Sequence, residues 1–290
     1  MNKIRISVII AASVLAAAMA AALPAATAAS GSGPPPVGTV RLAGPMRADP
    51  AIHYRTQLAG PRQVSAGTVT SLDWAGYAVT ADAGQTIGRI QDLLTIPDVN
   101  CAHSTLGSSG HAVASVWAGL DGFTSNTVEQ AGIGADCSTT TNPATYFAFY
   151  EMYPLPAVTF TGVSPGDAIV VIVHRVSTGW NLVLQDRTNG ASITTVQPCP
   201  SGSNCKDANG EAITEDYNGS VPAGYNLADF GLDNQTDLLA TSGSGRNGSL
   251  GSGGLWTSST IDMANGAHRM ATPGPLYGGE AFYLGWNASS

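Results

Sequence analysis

A chain of 290 residues with 12 Lys and Arg against 20 Asp and Glu is long enough for a large core and carries a net charge of −8. The charge is uneven: residues 29–65 hold four bases and one acid, whereas from residue 66 onward six bases face nineteen acids, a net of −13. Such a body lacks the basic patch that phosphate binding needs, so no nucleic-acid partner is expected, and it suits acid conditions, where protonation relieves self-repulsion.

In chain order, Lys3 and Arg5 precede an apolar run from Ile6 to Leu23, and Ala26-Thr27-Ala28 supplies small residues for cleavage. Residues 1–28 therefore read as a signal peptide, which makes the protein secreted and leaves no membrane span after processing. Residues 29–66 contain Gly31-Ser32-Gly33-Pro34-Pro35-Pro36 and scattered Arg without alternation, the composition of a propeptide or linker. Its positive charge could hold it against the acidic body. Residues 67–290 form the globular domain.

With 35 Gly, 17 Pro and no long stripe of helical period, that domain is expected to be all-β. Strands are expected at Ser71–Val79, Ile87–Ile96, Ala112–Leu120, Thr127–Ile133 and Tyr146–Tyr153, with Ala168–Val173 buried on both faces because it is continuously apolar. Further strands fall at Trp180–Gln185, Ser192–Gln197, Ala212–Tyr217, Leu255–Met263 and Glu280–Trp286, while the Gly- and Ser-rich stretch 237–254 reads as a mobile surface loop. About a dozen antiparallel strands point to a two-sheet sandwich. Cys101, Cys137, Cys199 and Cys205 allow three pairings in an oxidising setting. The pairing 199–205 and 101–137 is favoured, the former as a hairpin clip, and no metal site is expected because no Cys-x-x-Cys or clustered His accompanies them.

The densest run of acids is Glu211-Ala212-Ile213-Thr214-Glu215-Asp216-Tyr217. As a strand it places Glu211, Ile213, Glu215 and Tyr217 on one face, so two acids share a surface with an aromatic ring. Neighbouring carboxyls short of water resist ionisation, which favours acid/base chemistry. On Ala112–Leu120 the face bearing Val113, Ser115, Trp117 and Gly119, and continuing to Asp121, reads as a binding surface. No Gly-x-Ser-x-Gly stands at a strand-to-helix elbow, no Gly-x-Gly-x-x-Gly follows an expected strand, His-Glu-x-x-His is missing, and the five His residues are scattered, with His174 read as a core or rim residue. Carboxylates and amides remain as candidates: Asp121, Gln130, Glu151, Glu211, Glu215 and Asp216. They leave three readings open. These are an acid peptidase, a two-carboxylate glycosidase using Glu151 and Glu215, and a non-catalytic lectin-like module.

One ordered series narrows them: Trp74-Ala75-Gly76, Val116-Trp117-Ala118-Gly119-Leu120-Asp121-Gly122, Glu129-Gln130-Ala131-Gly132, Tyr150-Glu151-Met152-Tyr153-Pro154, Ser164-Pro165-Gly166-Asp167 and Glu211 to Tyr217. In order and spacing it resembles the glutamic peptidases, or eqolisins, from about residue 70 to the C-terminus. The resemblance implies a sandwich of two curved antiparallel sheets, similar to the concanavalin-like legume lectins, whose concave face is the active site of a secreted acid endopeptidase. It implies a catalytic pair of Glu215 and Gln130, a substrate groove lined by Trp74, Trp117, Glu151 and Tyr153, and supporting roles for Asp121, Glu211 and Asp216. Protein or peptide substrates, no cofactor and a monomeric state go with it. Family members commonly carry Trp at the position of Met152, a bulky aromatic at Ala212 and an acid at Gly134.

Overall fold

The computed structural model describes residues 40–43, 47–48, 67–216 and 224–289; residues 1–39, and with them the expected signal peptide, lie outside these, as does Tyr217. Nineteen strands and no helix make up the described chain. Before the globular domain come β1 (Val40–Ala43) and β2 (Arg47–Ala48). The domain opens with β3 (Gly67–Ser71), β4 (Trp74–Ala81), β5 (Ile87–Thr95) and β6 (Ala112–Leu120). Then follow β7 (Val128–Cys137), β8 (Thr145–Tyr153), β9 (Val158–Thr161), β10 (Ala168–Val176), β11 (Gly179–Asp186) and β12 (Ser192–Gln197). The remainder is β13 (Asn209–Glu215), β14 (Asn226–Leu227), β15 (Leu232–Ser242), β16 (Asn247–Ser249), β17 (Trp256–Asn265), β18 (His268–Pro273) and β19 (Phe282–Trp286).

The hydrogen-bonded ladders fall into two layers. One runs β12-β11-β10-β5-β15-β19. The other runs β17-β4-β13-β6-β7-β8-β9. β18 pairs with both β17 and β19 and so joins them. β5, β10 and β11 pack across β6, β7 and β13. Between the layers lies the main core, with Ala75, Tyr77 and Val79 of β4 and Val116 and Ala118 of β6 meeting Ile90, Leu94, Val171, Val173 and Leu184. This is the expected sandwich. The two disulfides are Cys101–Cys137 and Cys199–Cys205, as the spacing favoured.

Two strand expectations need correction. β10 is not buried on both faces: Ile169, Val171 and Val173 are buried while Val170 and Ile172 are half-buried, because this layer packs on the core with one face only. Nor is 237–254 a structureless loop. Leu238, Ala240 and Ser242 are buried at period two, so β15 continues to Ser242 and turns back as β16.

Candidate active site

The second layer has another face, turned away from the inter-layer core. Period two aims Trp74, Gly76 and Ala78 of β4, Glu211, Ile213 and Glu215 of β13, and Val113, Ser115, Trp117 and Gly119 of β6 toward it. Gln130 and Gly132 of β7 and Phe147, Phe149 and Glu151 of β8 complete the surface. A second hydrophobic cluster, including Trp74, Trp117, Phe147, Phe149 and Ile213, forms its floor.

Glycines make this face possible. A Cβ on Gly132 would lie 2.2 Å from the Val116 carbonyl oxygen and 2.5 Å from Trp117 Cβ, so only hydrogen at this position lets the Trp117 side chain lie over β7. Gly119 stands directly between Glu211 and Gln130 in one cross-strand row, and its missing side chain leaves room where a Cβ would sit 3.1 Å from Gln130 Cβ. Trp74 is set by the turn before β4, where Ser71 Oγ accepts the backbone N–H groups of Asp73 and Trp74.

Glu215 is directly opposite Trp74 in the ladder and is 1% exposed. Trp74 Nε1 donates to its Oε1 at 3.2 Å, and Trp117 Nε1 donates to its Oε2 at 2.8 Å. The two indoles meet edge to face with centroids 5.0 Å apart. Burial pushes the Glu215 carboxyl well above its ordinary pKa, the charges of Glu151 and Asp73 push the same way, and the two indole N–H groups oppose them. On β7, Gln130 is directly opposite Glu151 and donates Nε2 to Glu151 Oε2 at 2.8 Å, both side chains being fully buried. Tyr153, half-buried, packs against the floor cluster.

The structure thus brings Trp74, Trp117, Gln130, Glu151, Tyr153 and Glu215 onto one face. Asp121 serves elsewhere. With φ of 67°, it accepts the backbone N–H groups of Lys206, Asp207 and Ala208 at 2.6 to 2.8 Å, and so holds the segment that leads into β13. Glu211 does share the site face, but its raised pKa comes from burial and then from the charge of Asp121. Asp216 follows β13, and its backbone N–H donates to the Asp73 carbonyl.

Two acids escaped the sequence reading. Asp73 has both carboxyl oxygens buried without a hydrogen bond, and burial followed by the charge of Asp216 raises its pKa to about 7. Its signal was adjacency to Trp74. Glu129, next to Gln130 but on the core-facing side opposite Leu120 and Met152, is raised to about 10 by burial and the charge of Asp121. Oxygens of Asp121, Glu129 and Asp207 lie within 4.8 Å of one another, close enough for a cation. Asp121 already takes three N–H groups, and Asp207 accepts from Trp180 Nε1 and pairs with Arg175, so hydrogen bonds already engage this cluster.

Residues 72–277 match the model of the peptidase A4 family. The chain belongs to that family. Its fold is similar to that of scytalido-glutamic peptidase in complex with a peptide-based transition state analog, at 25% identity and a TM-score of 0.57, covering 74% of this chain and 98% of that one. It is similar also to SCP-B, an eqolisin in complex with the tripeptide Ala-Ile-His (24% identity, TM-score 0.53, 74% of this chain, 98% of that one). A further likeness is to aspergilloglutamic peptidase from Aspergillus niger (24% identity, TM-score 0.52, 61% of this chain, 99% of that one). No curated protein matches the chain. As a member of the peptidase A4 family the protein is a glutamic-type peptidase, and the glycosidase and lectin readings fall away.

Proposed function

We propose that the protein is a secreted acid endopeptidase in which Glu215 and Gln130 are the catalytic pair. The observation that carries this reading is the clamp on Glu215, a buried carboxyl held at both oxygens by Trp74 and Trp117 on the face that also presents Gln130. Ionised, Glu215 takes a proton from a water as its oxygen adds to the scissile carbonyl; protonated, it returns that proton to the leaving nitrogen as the C–N bond breaks. Gln130 donates an amide N–H to the oxyanion of the tetrahedral intermediate, a contribution of about 3 kcal/mol in comparable sites. Indole donors favour the carboxylate and burial favours the acid, so Glu215 is suited to alternate between the two forms. Trp74, Trp117, Glu151 and Tyr153 line the groove for a peptide, a ligand class supported by the peptide-based analog on scytalido-glutamic peptidase.

Residues 1–28 serve as signal peptide and 29–66 as a propeptide that keeps the enzyme a zymogen. In support, the leader meets the free edges of both layers: β1 pairs antiparallel with β12, and β2 with β9. Its four bases against the acidic body give an attraction that weakens as carboxylates protonate. Added leader peptide should inhibit the mature domain near neutral pH and lose hold in acid; no effect at either pH removes this part.

The test of the activity is cleavage of a denatured, unglycosylated protein from about pH 2 to pH 8 with a chelator present, comparing wild type, Glu215→Gln and Gln130→Ala. Chelator-insensitive cleavage confined to acid, abolished in Glu215→Gln and down about 10²- to 10³-fold in Gln130→Ala, is expected. Wild-type activity persisting in either variant overturns the pair.

A further inference from the structure

Far from the floor cluster, on the outer face of the first layer, three side chains stand in one row. β5 is hydrogen-bonded to β10 on one side and β15 on the other, and the register sets His174 and Thr241 directly opposite Arg89. Their neighbours Ile90, Val173 and Ala240 are buried in the core, so the row faces outward. With Arg175, Asp207 and the turn at Gly243 and Gly245, it lines a cleft of about 360 Å³.

The charges in this cleft are poorly matched. Arg175 is committed: it pairs with Asp207 at 3.4 Å, donates to the Gly179 carbonyl and lies 4.2 Å over the Trp180 ring. Arg89 is not. Its Nη2 donates to Gln91 Oε1 at 2.6 Å, a neutral partner, and among the described residues it meets no carboxylate. The His174 ring has no hydrogen-bond partner among the described residues, and burial together with the charge of Arg89 lowers its pKa. In a body with nineteen acids and six bases, a half-buried guanidinium beside a histidine and away from any carboxylate of its own is conspicuous. A guanidinium offers five donors in a planar fork that matches carboxylate or sulfate, and one amide oxygen occupies only part of it.

We propose that this cleft binds a small oxyanion, the sulfate ion or the carboxylate of a sugar acid, through the fork of Arg89 and the protonated ring of His174. The cleft volume lies within the range of small-molecule sites, which begins at about 300 Å³. The groups facing His174 are Arg89 and Gln91 on β5, Asn181 opposite it on β11, Thr241 on β15, and its own neighbour Arg175 with Asp207. Asp207 is the single carboxylate among the cleft residues and is held by Arg175 and Trp180. Affinity therefore rises as pH falls and His174 becomes charged, and by linkage a bound anion raises the pKa of His174.

The experiment is calorimetric titration of the full chain with sodium sulfate, galacturonate and, as neutral control, galactose, at about pH 7 and about pH 4.5, with the His174 ring followed by NMR. At least one anion should bind, roughly tenfold tighter at the lower pH, while galactose does not. Sulfate alone marks a free inorganic ion; galacturonate alone marks a sugar acid. Arg89→Gln should weaken binding at least tenfold, and His174→Gln should leave weaker binding with a flatter pH dependence, the remainder coming from Asp207, whose pKa burial raises. If Arg89→Gln does not fold, the His174 titration in wild type decides, since saturating anion must move it upward. No binding by either anion, an unmoved His174 pKa, or equal affinity in Arg89→Gln overturns the proposal.

Discussion

Trp117 reaches across from β6 to place its Nε1 2.8 Å from Oε2 of Glu215 on β13, two residues along from its own cross-strand partner Ile213. The diagonal contact makes the indole both the floor of the face and the second donor to the carboxyl. Trp117→Phe keeps the ring and removes the donor. Because the indole N–H lowers the pKa of Glu215, its loss should raise that pKa further. The acidic limb of kcat/KM should move to higher pH, with activity at the optimum down roughly tenfold for one charge-assisted hydrogen bond. A pH–rate profile measures both; an unmoved limb refutes the clamp.

Glu151 acts in the opposite direction. Its charge raises the pKa of Glu215, while its Oε2 accepts from Gln130. Glu151→Gln keeps an acceptor for Gln130 and removes the charge, so the acidic limb should shift to lower pH. Gln130→Ala should cost about 10²- to 10³-fold in kcat, as for loss of an oxyanion donor. A larger loss in Glu151→Gln than in Gln130→Ala would reverse the two roles.

Stability should fall as pH rises. Burial raises Asp233 from 3.8 to about 6, Asp73 from 3.8 to about 7, and Glu129 from 4.5 to about 10. Each folded-state carboxyl holds its proton where the unfolded chain has released it, so the folded state binds more protons and the slope of stability with pH is negative. This contribution is complete below the unfolded values near 4 and is lost progressively up to each folded value. Thermal melting should give its highest Tm in acid and a steady decline through neutrality. Glu129→Gln, which carries no charge at any pH, should flatten that decline. A Tm that climbs between acid and neutral pH contradicts the assignment.

The two disulfides should differ in weight. Cys101–Cys137 closes a loop of sequence separation 36 and Cys199–Cys205 one of separation 6. Loop-closure entropy gives about 4 kcal/mol for the first and about 2 kcal/mol for the second. Denaturant unfolding of the Cys101→Ala/Cys137→Ala and Cys199→Ala/Cys205→Ala proteins tests the order. A larger loss from the second pair would mean that local geometry around Pro198 and Pro200 outweighs chain entropy.

Local periodicity made much of the site legible. Strand geometry alone puts Glu211, Ile213 and Glu215 on one side of β13, and the same alternation selects Trp117 on β6 and Glu151 on β8, because side-chain direction in a strand depends only on parity. The ordered Trp, Gly, Gln and Glu segments then named the family. What parity cannot supply is which strands are neighbours. Registers between residues more than a hundred positions apart place Trp74 opposite Glu215 and bury Asp73 beside Asp216, while the pairing of β6 with β7 and β13 empties the row at Gly119 for Gln130 and closes over Glu129 beside Asp121. Pairing with the distant β5 drew the stretch after Asp237 into β15, from which β16 turns back as a local hairpin, and gave β10 one wet face. Which face a residue takes was therefore written in the chain. How strongly it holds its proton was decided by the tertiary structure, since desolvation and neighbouring charge exist only once distant strands have closed over it.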